Sequence, residues 1–422
     1  MQFCIQDPSY ENSMYLHETL LTECESGISG AGAYAFATKD GINLLLADDS
    51  FKQFVKRGTY YLIVGMDDIT NLHSLETLQK LKSLYGENLI VKAYIHNSQG
   101  STFHPKYSWF QKENGGVLIL GSGNLTQKGL RLNREAYSVV DFEGESFNTV
   151  IQEWERWLKH SAPFLFEIDD EIVIARAKQN TANIQAVYRA KKEAGESSNN
   201  GSTSALTELY KTQPKDIVLH KSNKPQSDID SSTAQGNASN TDEDVVVTPD
   251  AVDEDLDTDT IYWEISSDSN LLIAEIPRSG SRWKQANFDK ETFQNFFGAT
   301  CGENGAYRIL LKSVNSDGSL GVTEVRPSVS VSSSNYRFEL DAATGIDYPS
   351  GGLRPLGIFA KVSCRNFLYE LLLPNQKGYD EVIGIMNATQ KRSDKMRRLR
   401  YLCHEIREKV PSLAIWKRLN ND

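Results

Sequence analysis

Short apolar runs separated by polar stretches fill roughly the first 175 residues of the chain. The runs at 42–48, 60–66, 89–95 and 115–122 have the length and composition of buried strands. SLETLQKLKSLYG (74–86) has the periodicity of a helix, and SFNTVIQEWERWLKHSA (146–162) predicts an amphipathic helix that closes the unit. Strands that alternate with helices predict an α/β domain with a largely parallel sheet covered by helices.

The pattern changes at residue 259 to short strand-like runs separated by turns, which continue to about residue 376. Many short strands at modest spacing predict a barrel or a sandwich. One stretch differs, because DKETFQNFFG (289–298) predicts a short helix. The tail at 379–410 predicts a basic helix or helix pair. Its cations either touch a nucleic-acid backbone or form a solvated helix face, and they are Lys391, Arg392, Lys395, Arg397, Arg398 and Arg400.

Between these two halves lies a segment with the composition of a linker. Residues 195–258 are poor in aromatic side chains and rich in Ser, Asn, Asp and Gly, so they bury too little apolar surface to order themselves. A short helix around 181–194 extends the first domain, and 207–221 fits either a helix or a loop. We therefore divide the chain into a domain at 1–177, a helical extension with a flexible acidic linker at 178–258, and a β-rich domain with basic helices at 259–422.

The charge of the chain is concentrated in that linker. The net charge of −11 argues at first against a polyanionic partner. However, no Lys or Arg occurs between Lys224 and Arg278, and the stretch 241–260 is dense in Asp and Glu. The flanking domains are nearer neutral, so nucleic acid is not excluded as a partner. The acidic stretch is either a flexible tether or a mimic of a polyanion that occludes a DNA-binding surface.

Composition also excludes several classes of protein. No apolar run approaches the roughly 20 residues of a membrane span, and the N-terminus lacks a signal-peptide pattern. The five cysteines are scattered without the paired spacing of a zinc site. We expect a soluble, cytoplasmic protein without a metal or other cofactor.

The most informative stretch for chemistry is FHPKYSWFQKENGGVLILGSGNLTQKGLRLNRE (103–135). If the stretch that contains His104 and Lys106 is extended, both side chains lie on one face. GGVLILGSGNLT predicts a buried strand with Ser122 and Asn124 just beyond its carboxyl end, a common location for sites in α/β sheets. Lys and Asn supply donors for a phosphate, a neutral imidazole can attack phosphorus, and Glu135 can hold the other imidazole nitrogen.

Taken together, HPK, GSGN and the later Glu resemble the motif of the phospholipase D superfamily. The Asp that usually follows the Lys by five residues is replaced here by Gln111. The set is more similar to the nuclease branch typified by the BfiI and NgoFVII restriction endonucleases, where a Glu after the turn takes the carboxylate role. The resemblance implies an α/β nuclease domain with a mixed sheet flanked by helices. It also implies His104 as nucleophile or general acid, Lys106 and Asn124 as phosphate binders, and Glu135 as the orienter of the histidine. Ser122 is a further catalytic-site residue that the resemblance implies.

The resemblance extends to assembly and to DNA recognition. Its mechanism uses two histidines, and this chain has one motif, so we expect a homodimer through the nuclease domain with one composite site. The second half resembles a B3-like DNA-binding pseudobarrel, which grips the major groove of double-stranded DNA with two arms. We map the arms to about 278–287 and 333–348. The residues expected to contact DNA are Arg278, Ser281, Arg282, Lys284, Gln285, Asn335, Tyr336 and Arg337.

Plainer interpretations remain for each part. An isolated H-x-K pair, a Ser-Gly-Asn turn or a Glu has no specificity, the Arg-rich loop fits a solvated surface, and Asp67 and Asp68 either line a pocket or cap a helix. The favoured reading is a sequence-specific, metal-independent restriction endonuclease. The alternatives are a lipid phosphodiesterase, a non-catalytic DNA-binding protein, and a nuclease subunit that needs an NTP-dependent translocase. The chain has no Walker A pattern, so such a motor must be another chain.

Overall fold

A computed structural model describes residues 1–10, 13–98, 100–197, 263–278, 285–299, 307–327, 336–390 and 395–420. Residues Met1–Asn183 and Thr258–Asp422 form one compact unit, and Ile184–Asp257 form a second. We call residues 1–183 the α/β half and the described residues from 263 onward the β-rich half. Most of the predicted acidic linker, with the segment 207–221, lies outside the described residues.

The α/β half is an eight-stranded sheet with helices on both faces. The strands are β1 (Gln2–Gln6), β2 (Ser29–Tyr34), β3 (Thr59–Gly65), β4 (Leu89–Tyr94), β5 (Lys106–Lys112), β6 (Gly115–Gly121), β7 (Glu135–Phe142) and β8 (Leu165–Glu167). The α-helices are α1 (Leu16–Ser26), α2 (Lys39–Leu46), α3 (Asp49–Val55), α4 (Leu72–Tyr85), α5 (Asn148–Ser161) and α6 (Glu171–Ser197). The strand order is β1-β7-β6-β5-β2-β3-β4-β8. The mixed sheet flanked by helices is therefore present.

The expectation of a largely parallel sheet is wrong. Only β2, β3 and β4 run parallel to one another, and the other neighbouring strands pair antiparallel. The reason is the length of the connections: β5 and β6 are joined by two residues, which suffice for a hairpin but not for a crossover between parallel strands.

The apolar runs at 60–66, 89–95 and 115–122 are strands as predicted, and 74–86 and 146–162 are helices. The run at 42–48 was predicted as a strand, and this is wrong, because α2 extends from Lys39 to Leu46. Thr38 caps this helix by accepting a hydrogen bond from Gly41 N. Its leucines are buried on nearly every side, and the periodicity of a short run of this kind does not distinguish strand from helix.

Apolar side chains cover both faces of this sheet. One face packs against α1, α2, α3 and α4 through a large cluster that includes Leu20, Leu45, Phe51 and Leu78. The other face carries an aromatic cluster in which Trp109 meets both Phe147 and Trp154 of α5. None of the described helices is long and apolar enough to cross a membrane.

The β-rich half contains two sheets. Its strands are β9 (Asn270–Glu275), β10 (Gln285–Phe288), β11 (Arg308–Ser313), β12 (Glu324–Pro327), β13 (Tyr336–Glu339), β14 (Leu356–Ser363), β15 (Asn366–Leu372) and β16 (Arg398–Leu402). Six pair in the order β12-β11-β15-β14-β9-β16, and β10 pairs with β13. The helices are α7 (Lys290–Asn295), α8 (Tyr379–Thr389) and α9 (Cys403–Arg407), of which α7 confirms the predicted short helix. Among the described strands, these sheets do not close into a barrel.

The basic tail is only partly helical, which corrects the predicted helix pair. Its Arg-rich centre is strand β16, which pairs antiparallel with β9 at the edge of the six-stranded sheet. Arg397 is buried, and its guanidinium Nη2 lies 2.9 Å from Glu275 Oε1. Arg397 therefore lies neither on a solvated helix face nor at a DNA-contacting surface. Lys391 and Arg392 lie outside the described residues.

Candidate functional site

The residues singled out in the sequence lie at or beside three strand ends at one edge of the α/β sheet. Lys106 begins β5 and pairs with Tyr34 at the end of β2, because these strands run antiparallel. Ser122 follows the last residue of β6, and Glu135 begins the antiparallel strand β7. Strand direction therefore brings side chains that are up to 31 positions apart in sequence, from His104 to Glu135, to one edge.

The loop that carries His104 is held at its base by Asp67. The Asp67 carboxylate accepts a hydrogen bond from Phe103 N at 2.8 Å and lies 3.3 Å from His96 Nε2. On the other side of His104, Pro105 O accepts a hydrogen bond from Ala35 N at 2.8 Å. Asp67 fixes the loop and does not cap α4, whose N-cap is Asn71.

His104 and Lys106 are in direct contact. Lys106 Nζ lies 2.9 Å from His104 Nδ1 and 3.0 Å from His104 Nε2. The imidazole is exposed and the lysine is half-buried. Burial lowers the pKa of Lys106, and the negative charge of Glu135 opposes that shift. A cation in contact with an imidazole is suited to bind an anionic group that approaches the histidine.

Asn124 lies in the turn after β6, against the chain that leaves β2. Its Oδ1 accepts a hydrogen bond from Phe36 N at 3.3 Å, and Leu125 N donates to Phe36 O at 3.1 Å. The Phe36 ring meets the His104 ring edge-on at 6.1 Å. Among the described residues no hydrogen bond occupies the Asn124 Nδ2 amide, which is therefore available to donate to a ligand oxygen.

The backbone of this turn is packed too closely to tolerate larger residues. A Cβ on Gly129 would lie 2.5 Å from both the N and the O atom of Asn124. A Cβ on Gly123 would lie 2.7 Å from Gly129 O. The glycines thus allow the turn to fold back onto itself and fix the position of Asn124.

Ser122 and Glu135 form a second contact at the same edge. Ser122 Oγ donates a hydrogen bond to Glu135 Oε2, and Asn133 Nδ2 donates to Glu135 Oε1 at 3.0 Å. Among the described residues no hydrogen bond joins Glu135 to His104. The structure places Glu135 beside Ser122, Asn133 and the charge of Lys106, and its role as the orienter of the histidine remains a prediction.

Gln111 occupies the position where the phospholipase D motif usually has an Asp. It lies near the far end of β5, about 16 Å along the strand from Lys106 at a rise of about 3.3 Å per residue. Its Oε1 accepts a hydrogen bond from Ser29 Oγ at 2.9 Å. A side chain at this position is remote from His104, so Glu135 is the better-placed carboxylate.

A cleft of about 970 Å³ opens beside the histidine and the lysine on the α5 side of the sheet. Aromatic rings form much of its lining, and Tyr94 and Phe103 stack at 4.1 Å. Leu120 of β6 also lines it and is 44% exposed. The candidate site therefore borders an apolar surface that the chain itself leaves partly uncovered.

The two predicted arms of the β-rich half lie side by side. Strands β10 and β13 pair antiparallel, with Gln285 opposite Glu339 and Asn287 opposite Arg337. Strand alternation turns Gln285 and Arg337 to the outer face, while Tyr336 is 6% exposed and packs against Phe293. The Tyr336 ring thus belongs to the aromatic core. Four of the residues predicted to contact DNA lie outside the described residues. They are Ser281, Arg282, Lys284 and Asn335.

Arg278 gives a further contact between the arms. Its guanidinium lies 6.0 Å from the centre of the Tyr348 ring, so the start of the first arm meets the end of the second. Sequence reasoning missed Asn287, which shares the outer face with Gln285 and Arg337. The alternation of polar and apolar residues in QANF carried the signal for it.

Sequence reasoning also missed Phe36 and Asn133, which contact the predicted site residues. Phe36 follows β2 and is more than 60 positions from His104, so neither spacing nor motif points to it. Asn133 is two residues before Glu135. A carboxamide so close in sequence to a candidate carboxylate could have identified Asn133 as its hydrogen-bond donor.

No family model matches this chain, and neither does any curated protein. Among solved structures it is similar to NucT from Helicobacter pylori, at 13% identity and a TM-score of 0.28, covering 39% of this chain and 98% of that one. It is similar to Nuc from Salmonella typhimurium, a phospholipase D family member, at 16% identity and a TM-score of 0.29, covering 39% and 95%. A third is the N-terminal domain of LlaJI.R1 from Helicobacter pylori, at 12% identity and a TM-score of 0.24, covering 31% and 97%. Similarities this distant do not bear on activity or substrate.

Proposed function

We propose that this chain is a phospholipase D-like nuclease that hydrolyses phosphodiester bonds of DNA. The observation that carries the proposal is the gathering of an imidazole, an ammonium, a carboxamide and a carboxylate at one sheet edge. His104 contacts Lys106 directly, Phe36 links His104 to Asn124, and the charge of Glu135 acts on Lys106. A site of this composition binds a phosphate and also offers it a nucleophile.

The proposed reaction proceeds in two displacements. A ring nitrogen of neutral His104 attacks phosphorus, the N–P bond forms, and the bond from phosphorus to the leaving oxygen breaks. A second histidine, in its protonated form, gives a proton to that oxygen and becomes neutral. It then accepts a proton from the water that attacks the phosphohistidine, and the N–P bond breaks with its electron pair returning to the imidazole of His104. Lys106 and Asn124 stabilise the charge on the non-bridging oxygens in both displacements. No metal ion is required by this scheme, because these donors carry the charge.

The second histidine comes from a second copy of the chain in this proposal. An uncovered apolar surface next to the site supports a homodimer. Phe3 and Ile5 of the edge strand β1 are 65% and 58% exposed. Phe3 pairs with Ser138, which pairs with Leu120, so this exposed strip shares a sheet face with the cleft beside His104. A two-fold axis near this surface would bring two His104 side chains into one composite site.

The β-rich half is proposed to supply sequence recognition in the manner of a B3-like domain. The paired strands β10 and β13 form a two-stranded ribbon, an element that fits the major groove of DNA. Its outer face carries Gln285, Asn287 and Arg337, which can donate to base edges. Arg278 contacts Tyr348 at the end of the second predicted arm. Recognition joined to cleavage makes the chain a sequence-specific restriction endonuclease of the BfiI and NgoFVII type.

One observation favours a second candidate, a lipid phosphodiesterase. The cleft beside His104 is apolar and about 970 Å³ in volume, enough to receive part of an acyl chain. Its chemistry at phosphorus would be the same. The Arg- and Gln-bearing ribbon has no use in that function, and we therefore place it second.

Cleavage of unmethylated plasmid DNA in excess EDTA tests the proposal, with wild type beside His104→Ala. Discrete fragments from the wild type alone are expected. If neither protein cuts, the same assay is repeated with ATP and a lysate, and fragments that appear only then assign the chain to a partner-dependent nuclease. Cutting by both proteins, or release of a headgroup from phospholipid vesicles by the wild type without DNA cleavage, would overturn the proposal.

A further inference from the structure

Arg131, in the π-helical turn Lys128–Leu132 between Asn124 and Glu135, is completely buried. Within the α/β half its guanidinium donates to Glu18 Oε1 at 3.1 Å and lies 3.3 Å from His17 Nδ1. It also reaches the β-rich half. Nη2 donates to Arg308 O at 2.9 Å, and Nε donates to Asn366 Oδ1 at 3.3 Å.

Glu18, in α1 of the α/β half, also contacts the β-rich half. Its carboxylate accepts hydrogen bonds from Arg365 Nε at 2.9 Å, Arg365 Nη2 at 2.8 Å and Arg308 N at 3.0 Å. The Tyr15 ring contacts both guanidinium groups, with that of Arg131 4.3 Å and that of Arg365 4.7 Å from its centre. The buried charges of Arg131, Glu18 and Arg365 are thus paired, and hydrogen bonds fix their positions in both the α/β half and the β-rich half.

The turn that carries Arg131 is also rigidly connected to the candidate site. Gly129 packs against the backbone of Asn124 so closely that a Cβ would collide with it. The buried amide of Gln6 donates to Gly129 O at 3.1 Å and to Asn133 O at 3.0 Å. Asn133 in turn holds Glu135. A displacement of Arg131 must therefore move Asn124, Glu135 or both.

Stability alone does not call for such an arrangement. Buried ion pairs recover little more than the cost of removing their charges from water, and apolar residues of similar volume often serve as well. What the charges add is direction, because each guanidinium N–H requires an acceptor at one place. The network thus specifies where the β-rich half sits against the turn that carries Asn124.

We propose that Arg131 is a positioning residue through which the β-rich half sets the geometry of the catalytic turn. The inference rests on the proposed nuclease function. When the ribbon β10–β13 engages DNA, a shift of β11 and β15 is transmitted through Arg308 O and Asn366 to Arg131, and from there to Asn124 and Glu135. Docking of the β-rich half thereby controls the rate of phosphodiester cleavage and not only the affinity for DNA.

Three substitutions at two positions of the contact separate this role from general stability. Asn366→Ala removes the acceptor of Arg131 Nε, and Asn366→Asp keeps an oxygen there. Arg308→Met removes a different link between the halves, the 3.0 Å ion pair with Asp48, and leaves the backbone contacts of Arg308 to Glu18 and Arg131 in place. Both sites are buried, so the variants are matched in environment.

Cleavage is measured under single turnover at saturating protein, beside DNA affinity and the unfolding midpoint. We expect Asn366→Ala to lose about tenfold or more in rate at unchanged affinity, since small misplacements of catalytic groups are costly. Asn366→Asp should retain the rate, and Arg308→Met should lower the midpoint without changing the rate. Equal rate loss in Asn366→Ala and Arg308→Met, or none in Asn366→Ala, would overturn the proposal.

A readout without activity keeps this test separate from that of the nuclease function. Hydrogen exchange of peptides that cover 121–136 should accelerate in Asn366→Ala and match wild type in Arg308→Met. If the wild type fails to cleave DNA, the proposed function falls, and the exchange data still decide whether the contact controls the turn. Unchanged exchange in Asn366→Ala would refute the physical link itself.

Discussion

His17 should make the folded state sensitive to mild acid. It is fully buried in α1, with Nε2 2.8 Å from Leu44 O and Nδ1 3.3 Å from Arg131 Nη1. A carbonyl only accepts and a guanidinium only donates, so Nε2 carries the hydrogen and Nδ1 accepts. Only the neutral imidazole fits these partners. A second proton would leave Nδ1–H facing a cation.

The magnitude follows from the pKa. Burial lowers the pKa of His17 to about 3, with Arg131 adding to the effect, from an ordinary value of 6.5. Below pH 6.5 the unfolded chain therefore binds a proton that the folded chain does not. Stability is complete above that pH and is lost as the pH falls. One such group removes about 2 kcal/mol of unfolding free energy between pH 7.5 and pH 5.0.

Urea denaturation at pH 7.5 and pH 5.0, followed by tryptophan fluorescence, measures this loss. The variant His17→Gln should lose about 2 kcal/mol less than wild type over this interval, whatever its stability at pH 7.5, because it has no imidazole to protonate. His160→Gln, at an exposed position of α5, should keep the wild-type loss. The interval stops at pH 5.0 so that Glu18 stays ionised. Burial by itself would raise the pKa of Glu18, but Arg365 and Arg131 hold that pKa below its ordinary value. Equal losses in wild type and His17→Gln would refute the reasoning.

Three further predictions concern the site, the assembly and recognition. Gly129→Ala should slow single-turnover cleavage while DNA affinity persists, because its Cβ would lie 2.5 Å from Asn124 backbone atoms and must displace them. Leu120→Glu should convert the proposed dimer into monomer in sedimentation experiments, since it puts a charge on the exposed apolar face beside the cleft. Arg337→Ala should weaken binding to the cleaved fragment by about 1–3 kcal/mol and relax its sequence preference, measured by fluorescence anisotropy against a scrambled fragment.

Matched variants control the first two of these experiments. Gly384→Ala adds a methyl group where no atom lies within 4 Å, so it should cleave at the wild-type rate. Leu84→Glu changes a leucine of α4 that is 68% exposed and does not line the cleft, so it should leave the oligomeric state unchanged. If Gly129→Ala cleaves normally, the turn is more tolerant than its packing implies. A dimeric Leu120→Glu would place the interface elsewhere, and unchanged anisotropy for Arg337→Ala would remove the ribbon from recognition.

Most of the strands and the candidate site residues can be predicted from local sequence. Strand β3 is an apolar run bounded by polar residues, and burial on both faces of a sheet produces that pattern. Strands β4 and β6 are also apolar runs, but each has a more exposed apolar residue, Ile90 at 37% and Leu120 at 44%. The residues His104, Lys106, Ser122, Asn124 and Glu135 were found through spacing and side-chain chemistry, and the fold gathers them at one edge. Predictions of secondary structure were wrong where contacts with distant segments, and not the local sequence, decide the structure. Strand β16 is rich in arginine and was predicted as a helix, because its pairing with β9 joins residues more than 120 positions apart.

The partners of buried polar groups were decided only by the tertiary structure. An arginine such as Arg131 is usually exposed, and nothing near it in sequence indicates a buried one. Its counter-charge Glu18 lies 113 positions earlier, and its acceptor Asn366 lies 235 positions later. The sequence by itself therefore determined most of the strands and the side chains that are candidates to bind a phosphate, because apolar patterning and side-chain chemistry are properties of short stretches. The charges that connect the β-rich half to the turn that carries Asn124 pay their desolvation cost only where distant segments meet, and that meeting exists only in the folded chain.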